Sequence, residues 1–170
     1  MPTVFCQNRN LDIIKEALSQ ELGYAQPEKY KRFTAALKKA FLASENLENV
    51  AFSLEKTIPT ASRLFKNIDG IKFLTHQGGC GGTRQDSSIL SKLLSGYADH
   101  PNVCGITIMN LGCEHLQAEA LQNDIVARNS NFNKPVLVFG QQKEGTEEAV
   151  ISEAIKGTFT ALVTANEISR

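Results

Sequence analysis

Ile71-Lys72-Phe73-Leu74-Thr75-His76-Gln77-Gly78-Gly79-Cys80-Gly81-Gly82-Thr83-Arg84 is the stretch on which the reading of the fold turns. A short apolar run, Ile71 to Leu74, meets a glycine-rich loop, and a helical pattern follows with Ile89, Leu90, Leu93, Leu94 and Tyr97 on one face. The same succession recurs twice. Val103 to Met109 leads through Asn110 to His115 into Leu116, Leu121 and Ile125, while Pro135 to Phe139 leads through Gly140 and Gln141 into Val150, Ile151, Ala154 and Ile155. Thr146 with Glu147 and Glu148 behind it suits the positive end of that last helix. Repeated βα alternation is the pattern of a parallel sheet.

Upstream, Thr3 to Cys6 reads as another short strand, and Leu11, Ile14, Ala17 and Leu18 follow at helical spacing with Asn10 as N-cap. Pro27 suits the first turn of a second helix, striped by Tyr30, Phe33, Leu37, Ala40 and Phe41. Val50 to Leu54 is read as an extra strand and Pro59 to Phe65 as a short helix. The predicted fold is therefore α/β, a Rossmann-like three-layer sandwich with a mainly parallel sheet of four or more strands. Neighbouring strands would begin at Thr3, Ile71, Val103 and Pro135.

The 170 residues are 42% hydrophobic and 21% charged, the make-up of one globular domain. Lys plus Arg and Asp plus Glu number 18 each, so no basic excess recruits a nucleic acid backbone. No run approaches the roughly 20 apolar residues of a membrane span, and Met1 to Cys6 lacks the regions of a signal peptide. The expected setting is the cytoplasm, with no membrane partner, where Cys6, Cys80, Cys104 and Cys113 stay thiols. There is no internal repeat. Both ends are abrupt, which suggests one α/β domain, 1–170, of a longer protein.

In open parallel sheets ligands bind beyond the carboxyl ends of the strands, and the unusual residues gather there. They are Cys6, Asn8 and Arg9, then His76 to Arg84, then Asn110 to His115, then Gly140 and Gln141. Gly78, Gly79, Gly81 and Gly82 suggest a backbone in close contact with a ligand, with N–H groups aimed at an anion from a helix start at Asp86 or Ser87. A plain glycine-rich turn explains the same residues without a ligand. Neither G-x-G-x-x-G nor a Walker A loop is present, which argues against a nucleotide. His76, Cys80, Cys113, Glu114 and His115 have the donor types of an Fe(II), Mn(II) or Zn(II) site, though not the spacing of a zinc ribbon. Arg9 and Arg84 could grip carboxylates bidentately or be ordinary surface residues, and Asn8 and Asn110 could hydrogen-bond sugar hydroxyls or simply cap turns. Cys104 is read as a core residue inside its strand, His100 as a surface or capping residue, and Cys6 as either core or site.

Asp69-Gly70-Ile71-Lys72-Phe73-Leu74-Thr75-His76-Gln77-Gly78-Gly79-Cys80-Gly81-Gly82 resembles the second domain of the galactarate dehydratase/altronate dehydratase family of sugar-acid hydro-lyases. Leu94 to Val103, Asn110-Leu111-Gly112-Cys113-Glu114 and the opening Val4 to Asn10 are similar to the same domain, so the resemblance spans nearly the whole chain. It implies metal-dependent dehydration of a hexonate or hexarate to a 2-keto-3-deoxy acid, with Fe(II) foremost and Mn(II) next. It also implies a small β-rich domain before this one and an α/β domain after it, without which the chain would be inactive. His76, Cys80, Cys113 and Glu114 match the family's motif residues. The roles expected are metal ligands for Cys80 and Cys113, base or ligand for His76 or His115, and ligand or acid at the leaving hydroxyl for Glu114. Arg9 and Arg84 would clamp carboxylates. Two alternatives stand beside this: an iron–sulfur dehydratase holding its cluster on Cys6, Cys80 and Cys113, and a sugar-acid or anion-binding module without catalysis. A homo-oligomer is a further expectation.

Overall fold

The computed structural model describes residues 1–25, 29–52 and 62–168. It overturns the predicted sandwich of four or more strands. The chain is mostly helical, and among the described residues the single sheet has two strands, β1 (Ile106–Asn110) and β2 (Val136–Gly140). They run parallel, with Ile106 opposite Val136 and Asn110 opposite Gly140. The helices are α1 (Asn8–Glu21), α2 (Lys29–Leu42), α3 (Arg84–Asp99), α4 (Ala118–Arg128), α5 (Gln141–Glu144) and α6 (Glu147–Asn166). No described helix is long and apolar enough to cross a membrane.

The two other expected strands fail for a local reason. In the N-terminal segment Thr3 N–H donates to the Met109 carbonyl at 2.9 Å and Met109 N–H to the Met1 carbonyl at 2.9 Å, a single parallel bridge at Pro2. The backbone of residue 2 therefore faces away from β1, toward residues 71–76. Proline has no N–H to donate there, and its carbonyl is taken by Nε2 of His76 at 2.8 Å. Beyond Val4 the chain turns into a short 3₁₀ helix, Phe5–Gln7. No ladder can grow on that side, and residues 71–74 run alongside without strand pairing. A cavity of about 240 Å³ marks the looseness, lined by Met1, Ile71, Phe73, Val103, Ile106 and Leu162 among others. None of the predicted site residues lines it.

Side chains of successive strand residues point to opposite faces, so β1 sorts the core in two. Met109 joins Leu11, Ile14 and Leu18 of α1 and Val150, Ala154 and Leu162 of α6. Ile108 joins Leu94 and Ala98 of α3, Leu116, and Leu121 and Ile125 of α4. α1 packs on α6 and α3 on α4, as their apolar spacing requires.

Smaller differences follow from caps. α1 starts before Asn10, which is buried within its first turn. α3 starts at Arg84, because Thr83 forms a capping box with Asp86: the Thr83 hydroxyl accepts from Asp86 N–H and the Asp86 carboxylate from Thr83 N–H. Leu116 is buried in the loop ahead of α4. Cys104, expected in the core, is exposed, because the strand begins only at Ile106. Pro27 lies outside the described residues, as do residues 53–54 of the strand expected at Val50 to Leu54 and residues 59–61 of the helix expected at Pro59 to Phe65. The described remainders, Val50 to Phe52 and Ser62 to Phe65, form neither strand nor helix. On α2, Phe33 meets Phe52 edge to face at 5.4 Å.

Candidate functional site

Three segments are stitched together beyond the strand ends. Phe5 N–H donates to the Gly78 carbonyl at 3.0 Å, and His115 N–H to the Gly79 carbonyl at 3.0 Å. The glycine loop thus lies between the N-terminal segment and the loop that follows β1. Gly79 makes this possible. It has φ +96°, and a Cβ there would stand 2.1 Å from the Thr3 carbonyl oxygen and 2.7 Å from Val4 Cα. Gly112 has φ +119° and is hemmed by Gln142. Gly81, at φ +77°, faces open space. The first two glycines are therefore required by backbone packing, which needs no ligand.

Glu114 is 2% exposed, and both of its carboxylate oxygens are engaged. It accepts from the Thr3 hydroxyl at 2.6 Å, from Leu111 N–H at 3.2 Å and from Gly112 N–H at 2.6 Å. A charge this deep is stable only when so paired. Its carbonyl also accepts from the side chain of Gln117. The geometry makes Glu114 the internal frame of the loop that carries Cys113 and His115.

The two histidines differ in what they leave free. His76 Nδ1 accepts from Gly78 N–H at 3.2 Å, which places the proton on Nε2, the atom that donates to Pro2. Both nitrogens are spent on backbone. His115 is exposed, and its Nδ1 donates to the Gly82 carbonyl at 3.0 Å. That bond fixes the tautomer with the lone pair on Nε2, the arrangement of a base or a metal ligand.

Cys6, Cys80 and Cys113 are exposed free thiols on the three stitched segments. Among the described residues, however, no three His, Cys, Asp or Glu side chains come close enough together to hold a metal ion. The donors present do not by themselves fit a closed metal site. Arg9 is exposed and makes a long ion pair with Glu147 at 3.8 Å. Arg84 is exposed at the first turn of α3. The anion position at that helix start is already taken by the Asp86 carboxylate, whose pKa is lowered by its hydrogen bonds from Thr83 backbone and hydroxyl.

Besides Asn8 and Asn110, which the sequence offers for sugar hydroxyls, the structure buries two further carboxamides that sequence reasoning missed as a polar layer, Gln7 and Asn10. Gln7 (1% exposed) donates through Nε2 to Gln141 Oε1 at 2.8 Å, and Asn10 (4% exposed) donates to Gln7 Oε1 at 3.0 Å. Asn8 Nδ2 donates to the His76 carbonyl at 2.8 Å. Asn110 lies against Gly140, where a Cβ would stand 2.9 Å from its Oδ1. The side-chain oxygens of Asn8 and Asn110 are buried with no hydrogen-bond partner. One signal was available: Gln7 and Asn10 precede Leu11, Ile14 and Leu18 in the buried phase of α1, where an apolar residue would be expected.

Comparison with known families matches residues 1–166 to the model described as D-galactarate dehydratase/altronate hydrolase, second domain. Comparison with curated proteins and with solved structures finds no significant match.

Proposed function

The chain belongs to the family of the second domain of D-galactarate dehydratase/altronate hydrolase, and on that premise we propose that it supplies part of the active site of a hydro-lyase converting a hexonate or hexarate to a 2-keto-3-deoxy acid. The observation that carries this reading is His115, locked by Gly82 with Nε2 free on the loop beside Cys113. Dehydration requires a base to take the proton from the carbon next to the carboxylate. That electron pair forms the C=C bond as the neighbouring hydroxyl leaves with a proton as water, and the enol product then tautomerises to the keto acid. His115 Nε2 is the proposed base. Arg84, and Arg9 once released from Glu147, hold the carboxylates. Glu114 and His76 act as positioning residues, since their polar atoms are already engaged.

The expectation of Fe(II), or next Mn(II), belongs to the same proposal: Cys80 and Cys113 are its donors, and the rest of the shell comes from outside this chain. A domain described as the second implies a first, and the proposal gives the neighbouring domains the task of closing the site against water. The test is an assay for 2-keto-3-deoxy acid on the 170-residue chain and on the enzyme that carries it with its companion domains. The chain alone should show no turnover. In the larger enzyme His115→Gln should lower kcat by about 100-fold or more. Full activity of that variant would remove His115 from the chemistry. The open donor set favours one second reading, a domain that binds the sugar acid without acting on it. That reading predicts binding by this chain and indifference of turnover to His115.

A further inference from the structure

We infer that the carboxamide layer is a hydroxyl-reading shelf, in which Asn110 and Asn8 accept hydrogen bonds from the hydroxyl groups of a polyhydroxy ligand. The inference rests on the sugar-acid reading for its ligand but on separate atoms for its argument. Around the strand ends almost every buried polar side chain is paired: Gln7 with Gln141, Asn10 with Gln7, Glu114 with Thr3 and two backbone N–H groups. Asn8 Oδ1 and Asn110 Oδ1 are the exceptions among the described residues. The region is thus short of donors by two, and a buried acceptor left unpaired is unfavourable unless something else supplies the proton.

The missing donor is neutral. A divalent cation or an ammonium brought here would need negative charge beside it, and both oxygens of the buried carboxylate, Glu114, are already engaged by the Thr3 hydroxyl and by two N–H groups of its own turn. An O–H group meets the need without a counter-charge. Access is by rotation. Asn110 is half-buried and lies against a glycine, and its amide torsion is a broad one. Turning Oδ1 outward breaks no hydrogen bond, because it makes none. Asn8 is tied by the bond from its Nδ2 to the His76 carbonyl, and its buried Oδ1 turns outward only when that bond is given up.

The experiment is an NMR titration of the 170-residue chain with three probes. D-galactarate carries hydroxyls and carboxylates, adipate carries the same chain and carboxylates without hydroxyls, and galactitol carries hydroxyls without carboxylates. The expected result is that galactarate binds at least tenfold tighter than adipate, and that galactitol shifts the amide signals of Asn8, Asn110 and Gly140. Asn110→Leu should remove most of that tenfold advantage while leaving Tm equal or higher, since the leucine fills the space of an unpaired acceptor. Equal binding of galactarate and adipate would overturn the shelf and leave the sugar-acid reading standing. Binding of galactitol with no preference for the acids would do the reverse. Binding of none of the three would overturn the shelf. An Asn110→Leu chain with lowered Tm and an unchanged galactarate-to-adipate ratio would show that Asn110 is only a structural residue.

Discussion

The glycine loop, residues 75–83, and the loop after β1, residues 111–117, present similar chemistry to solvent and are built in opposite ways. Each exposes one thiol, Cys80 or Cys113. The glycine loop is held from outside, by contact of Gly79 with the backbone of Thr3 and Val4 and by the His76 bond to Pro2. The loop after β1 is held from inside, by a buried carboxylate that gathers two of its own N–H groups. The difference teaches that a motif residue with chemical potential can be spent on architecture. His76 and Glu114 sit in the motifs yet have their polar atoms engaged, while His115 keeps one nitrogen free.

That comparison can be broken most severely at its internal support. Glu114→Ala leaves the Thr3 hydroxyl and the N–H groups of Leu111 and Gly112 without their acceptor in a buried site. A loss of about 3–5 kcal/mol is expected in urea unfolding of the chain, in the range for removing one partner of a buried charge network. A loss below about 1 kcal/mol would mean that water replaces the carboxylate and that the loop is not framed from within.

The external support is tested by two glycines of the same loop. Gly79→Ala adds both a positive-φ penalty and a collision with backbone that cannot move aside, together about 3 kcal/mol. Gly81→Ala meets nothing and should lose only about 1 kcal/mol from its φ of +77°. Similar losses at the two positions would show that the glycine loop does not lean on Thr3.

The smallest effect sharpens the boundary between loop and helix. Thr83→Ala removes the cap of α3, at about 1 kcal/mol. The pKa of Asp86 is lowered below its ordinary 3.8 by its bonds to Thr83. Its contribution is therefore fully present above pH 3.8 and fades as pH falls through the lower folded value. Wild type and Asp86→Asn should accordingly converge in stability toward the acid end of a pH series. A gap that stays constant with pH would exclude the carboxylate from the cap.

Much of this was legible from residue spacing, and the failures have physical causes. Helical periods located α1, α3, α4 and α6, and apolar runs located β1 and β2. The runs at Thr3 and Ile71 look no different in isolation. Whether they pair depends on which way the Pro2 carbonyl faces and on what already occupies it, and no local pattern encodes that. At the site, the sequence ranked residues by chemical type. His76, Glu114 and His115 were equivalent candidates until their partners were known. Gln7 drew no notice and Asn10 was read only as a cap because Gln and Asn are ordinary at surfaces, and only their position in the buried phase leading into α1 sets them apart.

The bridge between Pro2 and Met109 spans most of the chain, since the bonds from Met1 and Thr3 reach residues 106 positions away. The unit α3–β1–α4–β2 closes through much shorter separations, so loop-closure entropy favours its formation first, with the N-terminal strip added late. The late strip brings Thr3 to Glu114, Pro2 to His76 and Phe5 to Gly78 in one event. Detachment of those few residues is then a low-lying opening of the native state, distinct from global unfolding. In hydrogen exchange the amides of Thr3, Phe5 and Met109, whose bonds join the strip to the rest of the chain, would lose protection together while β2 and the loop framed by Glu114 stay protected.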